Sequence, residues 1–409
     1  MEKLTASKHS QKKDSNTPLP EDSIVDVTNL FGNEESIDKV FKPFVKTGIK
    51  KLDEMLGGGF SPGFAVLGAI SNLGKSTFAL QLAANIVKQG TPVMFFSLEM
   101  PAEWVAAKLI SQRTFINDPK NAVMAKELVN REVVKSDDFK KKWTAVSAAV
   151  QEISNELKDL YIIDAKSSKY KKESMTAEEI KNRVEEFIQK HNKKPFVIID
   201  YLQIIPVKNA VKASSEMYSI DHNISVLSKI DKDITVLMIS SLNRESYSKT
   251  MSLGAFKGSG TIEYSADVIL GLDFSDPFQS SSKESFETFL NRQKSKNPRK
   301  VQVTALKQRY NASGKDAVVK FGYWSAYDYF DPDYNETEKN GTDEDTTSKK
   351  ADPGTINFFM YCETKNDVKI MYKKLSKMYH PDELHGNLAN DFLFKIIDDQ
   401  YKKKMEQFR

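Results

Sequence analysis

Residues 63–88 read GFAVLGAISNLGKSTFALQLAANIVK. The run Gly63–Ala69 is apolar without alternation, as expected of a strand covered on both faces by helices. It passes into Ala69-Ile-Ser-Asn-Leu-Gly74-Lys75-Ser76, which has the spacing of a phosphate-binding loop with alanine in place of the first glycine. Phosphate oxygens need N–H donors that approach closely. Gly74 permits that approach, and the helix that follows adds the positive end of its dipole. Ser71, Asn72, Leu73, Gly74 and Thr77 belong to the cradle, Lys75 would neutralise the outer phosphates, and Ser76 would offer a hydroxyl to Mg²⁺. A chance match is the competing reading, and the strand before and helix after argue against it. The stretch predicts a nucleoside triphosphate site in an α/β fold.

Outward from this stretch the same alternation continues from Phe44 to about Phe330. Further strands are expected at Pro92–Leu98, Leu160–Ala165, Phe196–Asp200, Thr235–Ser240, Val268–Leu272 and Val301–Leu306. Helices lie between them. Thr176 and Glu179 form a capping box ahead of Ile180, Val184, Phe187 and Ile188 on one face. The helix after Lys75 is apolar nearly all round and should be buried. Alternating strands and helices predict a mainly parallel central sheet. Residues 1–42 read as a flexible tail in which Ile24, Val25, Leu30 and Phe31 could dock on a neighbouring surface. Residues 331–355 form a polar, mostly acidic linker, and 356–409 resume helical periodicity as a small separate module.

Composition bounds the possible functions. The 409 residues are 40% hydrophobic and 28% charged, an ordinary globular balance, and the net charge of +4 requires any nucleic-acid site to come from local patches. The one cysteine, Cys362, excludes an internal disulfide and a cysteine-built zinc site, which fits a reducing cytoplasm. Residues 1–20 are polar, so no signal peptide is expected, and no apolar run is long enough to span a membrane.

Two acids complete the expected chemistry. Asp200 ends the apolar strand FVIID (196–200), where it would orient Mg²⁺ through water at the carboxyl edge of the sheet. Glu99 follows the strand after the phosphate-loop helix. If its strand neighbours that of Asp200, Glu99 faces the γ-phosphate and can polarise the attacking water; otherwise it is a solvated strand-end acid.

The chain from Thr47 to Phe330 resembles the motor domain of DnaB-like replicative helicases, within the RecA superfamily. The resemblance rests on AISNLGKST (69–77), FFSLEM (95–100), IIDYLQII (198–205), SSLNRE (240–245), FKGSGTIEYSADVIL (256–270) and LKQRYNASG (306–314), in that order. It implies a RecA-like P-loop ATPase with ATP and Mg²⁺ as cofactors, Glu99 as general base and Asp200 as the Walker B acid. It also implies that Arg309 is an arginine finger reaching the next subunit's site, assisted by Lys307, in a homohexameric ring on single-stranded and forked DNA. The competing reading of Lys307 and Arg309 is a solvated basic strand end. Ser241 stands where the family usually carries glutamine, and Gly258 where an acid is frequent, which implies altered coupling between nucleotide and DNA loops. The family's helical N-terminal collar is expected to be absent.

In the resembled family, channel loops hold single-stranded DNA. The candidates are Lys208 and Lys212 in one loop, and Arg244, Lys249, Lys257 and Gly260 in another, with FKGSG allowing close approach to phosphates. Ordinary surface loops are the alternative. The run RQKSKNPRK (292–300) reads as a solvated hairpin loop. At the C-terminus, Val368, Met371, Tyr372, Leu375 and Tyr379 share a helical face with Lys373, Lys374 and Lys377 outside. His380-Pro381-Asp382 and a second helix with Phe392, Leu393, Ile396 and Tyr401 follow. This resembles a J-domain and implies contact with a DnaK-type chaperone; a plain helical hairpin is the alternative. Two other classes compete with the helicase: a RadA-like recombination ATPase that does not unwind, and an ATP-switched chaperone adaptor.

Overall fold

The computed structural model describes residues 43–165, 175–207, 216–278, 284–314, 316–334, 364–379 and 388–407. Each strand expected from the sequence is present: β1 (Gly63–Ala69), β2 (Val93–Ser97), β3 (Leu160–Asp164), β4 (Phe196–Asp200), β5 (Thr235–Ser241), β6 (Val268–Phe274) and β7 (Arg299–Gln308). Two more were not anticipated, β8 (Val318–Trp324) and β9 (Tyr329–Asp331). The expected linker therefore begins too early at its first residue, because Asp331 still pairs with Gly322.

Among the described residues these strands form one sheet in the order β3-β2-β4-β5-β1-β6-β7-β8-β9. The pairs from β3 to β6 are parallel, and those from β6 to β9 antiparallel. β2 and β4 are buried at every position, which explains their unbroken apolar composition.

The helices within residues 43–334 are α1 (Lys50–Met55), α2 (Lys75–Lys88), α3 (Ala102–Asn117), α4 (Asp137–Glu156), α5 (Ala177–His191), α6 (Glu216–Leu227), α7 (Ser259–Ser265) and α8 (Phe286–Ser295), with two one-turn segments between α3 and α4. α2 touches β1 through β5 as well as β9 and is buried nearly all round, as its composition requires. At the start of α5, the Thr176 hydroxyl accepts from Glu179 N and the Glu179 carboxylate accepts from Thr176 N, the capping box read from the sequence.

The register places the site. Ala69 of β1 pairs with Ser241 of β5, and Asp200 of β4 pairs with Ser97 of β2. The ends of four parallel strands thus bring the phosphate loop, Asp200 and the segment carrying Glu99 to one edge.

Residues 336–409 form a separate unit. Its described part is two packed helices, α9 (Lys365–Tyr379) and α10 (Leu388–Glu406). Val368 and Ile397 are buried, the Tyr372 ring stacks on Tyr401 at 3.9 Å, and the Tyr372 hydroxyl donates to Asp398 at 2.8 Å. The expected apolar face is thus present at Val368 and Tyr372. His380, Pro381 and Asp382 lie outside the described residues.

Candidate active site

β1 ends at Ala69 and the chain turns through Asn72 (φ 63°) and Gly74 (φ 93°) into α2. Positive φ at Gly74 is reached without strain because the residue lacks Cβ. A Cβ there would also stand 2.8 Å from the Tyr323 ring and 2.9 Å from the Phe330 ring. Leu73 is fully buried and its side chain belongs to the core beneath the loop. The remaining loop residues line a cavity of about 460 Å³ with Glu99, Met100, Lys108, Asp200, Tyr201, Ser241, Arg299, Tyr323, Ser325 and Asp328.

The Lys75 ammonium donates to Ala69 O at 3.0 Å and Ile70 O at 3.3 Å, folded back over the loop it follows. Burial lowers its pKa, while the carboxylates of Asp200 and Glu99 oppose that shift. Asp200 is 1% exposed, and burial pushes its carboxyl up to about 6; the Ser76 hydroxyl bonded to it and Lys75 pull the other way. One of its oxygens, Oδ2, is buried with no hydrogen-bond partner. A hydroxyl bonded to a carboxylate with a spare oxygen suits a hydrated divalent cation, the hydroxyl ligating directly and the carboxylate through water. Ser76 and Asp200 therefore fit Mg²⁺. Among the described residues, no cluster of three His, Cys, Asp or Glu side chains offers a rival cation site. Glu99 is exposed, two residues beyond the Ser97–Asp200 pair, so the condition on neighbouring strands is met.

Part of the pocket wall comes from residues that sequence reasoning did not assign. The Lys108 ammonium of α3 bonds Asp328 and donates to the Thr77 hydroxyl at 3.2 Å; that hydroxyl donates to Asp328 at 3.2 Å. Burial pushes the Tyr323 hydroxyl, bonded to Thr77, up to about 12, so it stays neutral. Thr77 is thus committed to this buried group beside the cradle. Arg299 donates to Asn72 O at 3.3 Å and lies over the Tyr323 ring at 5.7 Å. The run 292–300 is accordingly not a solvated hairpin loop: it closes α8 and opens β7, with Arg299 brought to the phosphate loop.

Lys307 and Arg309 do not line this cavity. β7 runs antiparallel to β6 with Arg299 at the pocket edge, so its other end lies roughly 30 Å away along ten residues. There Arg309 pairs with Asp267 at 2.9 Å and Lys307 donates to Glu263 O and, at 2.7 Å, to Ala266 O. The opposite carboxylate oxygen of Asp267 accepts from Phe64 N at 2.9 Å. Ile269 faces Lys307 while Leu270 faces Ala305, so a bulge intervenes at Leu306.

Among the loop candidates, Arg244 and Lys249 are exposed, Lys257 pairs with Glu216 at 3.0 Å, and Lys208 and Lys212 lie outside the described residues. The glycines of FKGSG differ in role. Gly258 (φ 76°) starts α7, where a Cβ would meet Ile220 at 2.7 Å, so its need is internal packing. Gly260 faces open space.

Comparison with known proteins agrees with this fold. The chain is 29% identical over 251 residues to the replicative DNA helicase DnaB of Leifsonia xyli subsp. xyli, covering 60% of this chain and 50% of that protein. It is 26% identical over 249 residues to a probable replicative DNA helicase of Trieres chinensis, covering 59% and 50%. The chain thus spans about half the length of the curated relatives it matches. A solved DnaB-like replicative helicase, described with its interactions with primase, shares the fold with a TM-score of 0.56 and 24% identity, over 74% of this chain and 64% of that one. Residues 45–331 match the DnaB-like helicase C terminal domain, and the chain belongs to that family.

Proposed function

We propose that this chain is the motor of an ATP-driven DNA helicase, working as a homohexameric ring in the cytoplasm on single-stranded and forked DNA. The observation that carries the reading is the polarity of β7. It sets Arg309 at the sheet edge away from its own phosphate loop, which supports a guanidinium that acts on a neighbouring copy's pocket rather than its own. A pocket completed in trans makes hydrolysis depend on assembly. Membership of the DnaB-like family and curated relatives named replicative DNA helicases support the same conclusion.

In this reading the nucleotide is ATP, with its phosphates in the backbone cradle of residues 71–77. Mg²⁺, held by Ser76 and through water by Asp200, supplies charge neutralisation at the phosphate oxygens. Glu99 accepts a proton from water as the water oxygen attacks the γ-phosphorus in line, and the bond from that phosphorus to the β–γ bridging oxygen breaks, releasing ADP and phosphate. Lys75 from one copy, with Arg309 and Lys307 from the next, offsets the charge gathering on the transferred group. Arg244, Lys249 and Lys257, together with Lys208 and Lys212, contact the DNA backbone, and Gly260 lets the strand pass close. A forked-duplex assay tests the proposal. The wild type should show DNA-stimulated hydrolysis and strand separation, with both lost in Lys75→Ala and in Arg309→Ala. Hydrolysis without strand displacement would leave a translocation-free ATPase and sink the helicase.

The C-terminal helix pair fits a contact with a DnaK-type chaperone through His380, Pro381 and Asp382. The feature behind that reading is α9, with Val368 buried and Lys373 exposed.

A further inference from the structure

The loop between β5 and α7 is held at three points: at its own base, against β1 and β6, and on the phosphate loop. At its base, Leu242 bridges Phe256, and Asn243 N donates to Ala255 O at 2.8 Å. Across the sheet, Gly68 of β1 pairs with Gly271 of β6. A Cβ on Gly68 would lie 2.3 Å from the Phe256 ring, and one on Gly271 would lie 2.5 Å from Met251. Two paired glycines thus make a shallow bay in which the loop's Phe256 and Met251 seat. The third point is polar. The Tyr247 hydroxyl lies 3.0 Å from the Ser71 hydroxyl, on the phosphate loop itself.

Tyr247 follows the single turn Arg244–Ser246, with Arg244 on one side and Lys249 on the other, both exposed. Its own ring is half-buried against the core, so it is held from below while its hydroxyl reaches the pocket rim. The pocket-lining residue at the end of β5, Ser241, is engaged elsewhere: its N–H and hydroxyl meet Gln203 Oε1 at 3.1 and 3.3 Å. Gln203 in turn donates to the Ser240 hydroxyl at 2.9 Å. A serine tied to Gln203 is poorly placed to carry a displacement from phosphate to loop.

We infer that Tyr247 couples the phosphate loop to the basic loop 243–257, so that nucleotide occupancy is read out as the positions of Arg244 and Lys249. Coupling requires that a ligand interact differently with two arrangements. Phosphates held by the backbone of residues 71–76 reset the loop that carries Ser71, and the shared hydrogen bond transmits that change to the turn and loop holding Arg244 and Lys249. By reciprocity, a nucleic-acid strand seated on those cations changes nucleotide affinity by the same factor; where it also draws the phosphate loop toward its hydrolysis-competent arrangement, turnover rises. Tyr247 is a positioning residue here and touches neither phosphate nor DNA.

This inference rests on the reading of the chain as a DNA-stimulated ATPase, and the test separates the two. Hydrolysis by the full chain is measured with and without a thymidine oligonucleotide, and oligonucleotide affinity with ADP and with a non-hydrolysable ATP analogue. In Tyr247→Phe, which keeps the ring, basal turnover should persist while DNA stimulation falls roughly fivefold or more and the ADP-to-analogue affinity ratio contracts toward one. Ser71→Ala should lower the stimulation ratio to the same extent, the double variant no further, and Ser71→Thr should restore it. The two Ser71 variants carry the test even if Tyr247→Phe misfolds. Stimulation retained in Tyr247→Phe, or additive losses in the double variant, overturns the coupling. A wild type that hydrolyses ATP with no response to the oligonucleotide overturns the underlying reading and the coupling with it.

Discussion

Asp200 holds a carboxylate 1% exposed to water, with one oxygen lacking a partner. Its carboxyl is pushed up to about 6 by burial. Below the ordinary carboxylate value near 3.8 it is protonated in both folded and unfolded chains and contributes no difference. Between there and about 6 the folded state holds the extra proton, so stability falls as pH rises; above about 6 the full penalty is present. That penalty is on the order of 3 kcal/mol. Asp200→Asn without divalent cation should therefore melt above wild type at pH 8, with the gap closing near pH 4, by calorimetry. A variant melting no higher than wild type at pH 8 would contradict the burial argument. That Lys75, Ser76, Asp200 and Glu99 share one cavity was legible in the sequence: the first two follow from the spacing of the phosphate loop, and the two acids end or follow apolar strands. Lys108, Asp328 and Arg299 were not. Lys108 and Asp328 meet across 220 residues, and Arg299 meets Asn72 across 227, so no local spacing records them.

At the scale of elements, continuous apolar runs announced the parallel strands because burial on both faces removes alternation. The antiparallel end was harder to read. β8 and β9 flank a turn, Ser325–Asp328, whose Asp328 adopts φ 55°. Their aromatic residues, Phe321, Tyr323, Trp324, Tyr329 and Phe330, were the available strand signal. The stack of Tyr323 on Phe330 at 4.0 Å shows what that composition serves: a wall behind Gly74. The basic run 292–300 misled because a cluster of cations usually marks a solvated loop, whereas here burial of Arg299 beside Tyr323 outweighs its charge. The C-terminal pair makes its own prediction. If the segment joining α9 to α10 contacts a DnaK-type chaperone, the wild-type chain should raise that chaperone's ATP turnover and His380→Gln should abolish the effect. No stimulation by wild type would retire the contact.

For the whole molecule, the decisive feature is the separation of the phosphate loop and Arg309 onto opposite edges of one sheet. Asp267 holds Arg309 at 2.9 Å and is itself held by Phe64 N, in a niche where a Cβ on Gly63 would come within 2.3 Å of its carboxylate. A guanidinium kept in place on a rigid strand end is suited to present itself to a second copy. Sequence order alone could place both groups in one chain; only the direction of β7 excludes their meeting there. The most direct test mixes Lys75→Ala chains with Arg309→Ala chains, each inactive alone. Random assembly at equal amounts restores a complete pocket at about a quarter of the interfaces, so hydrolysis should return to roughly that fraction of wild type. No recovery, with both variants assembled together, would contradict a pocket shared between neighbours.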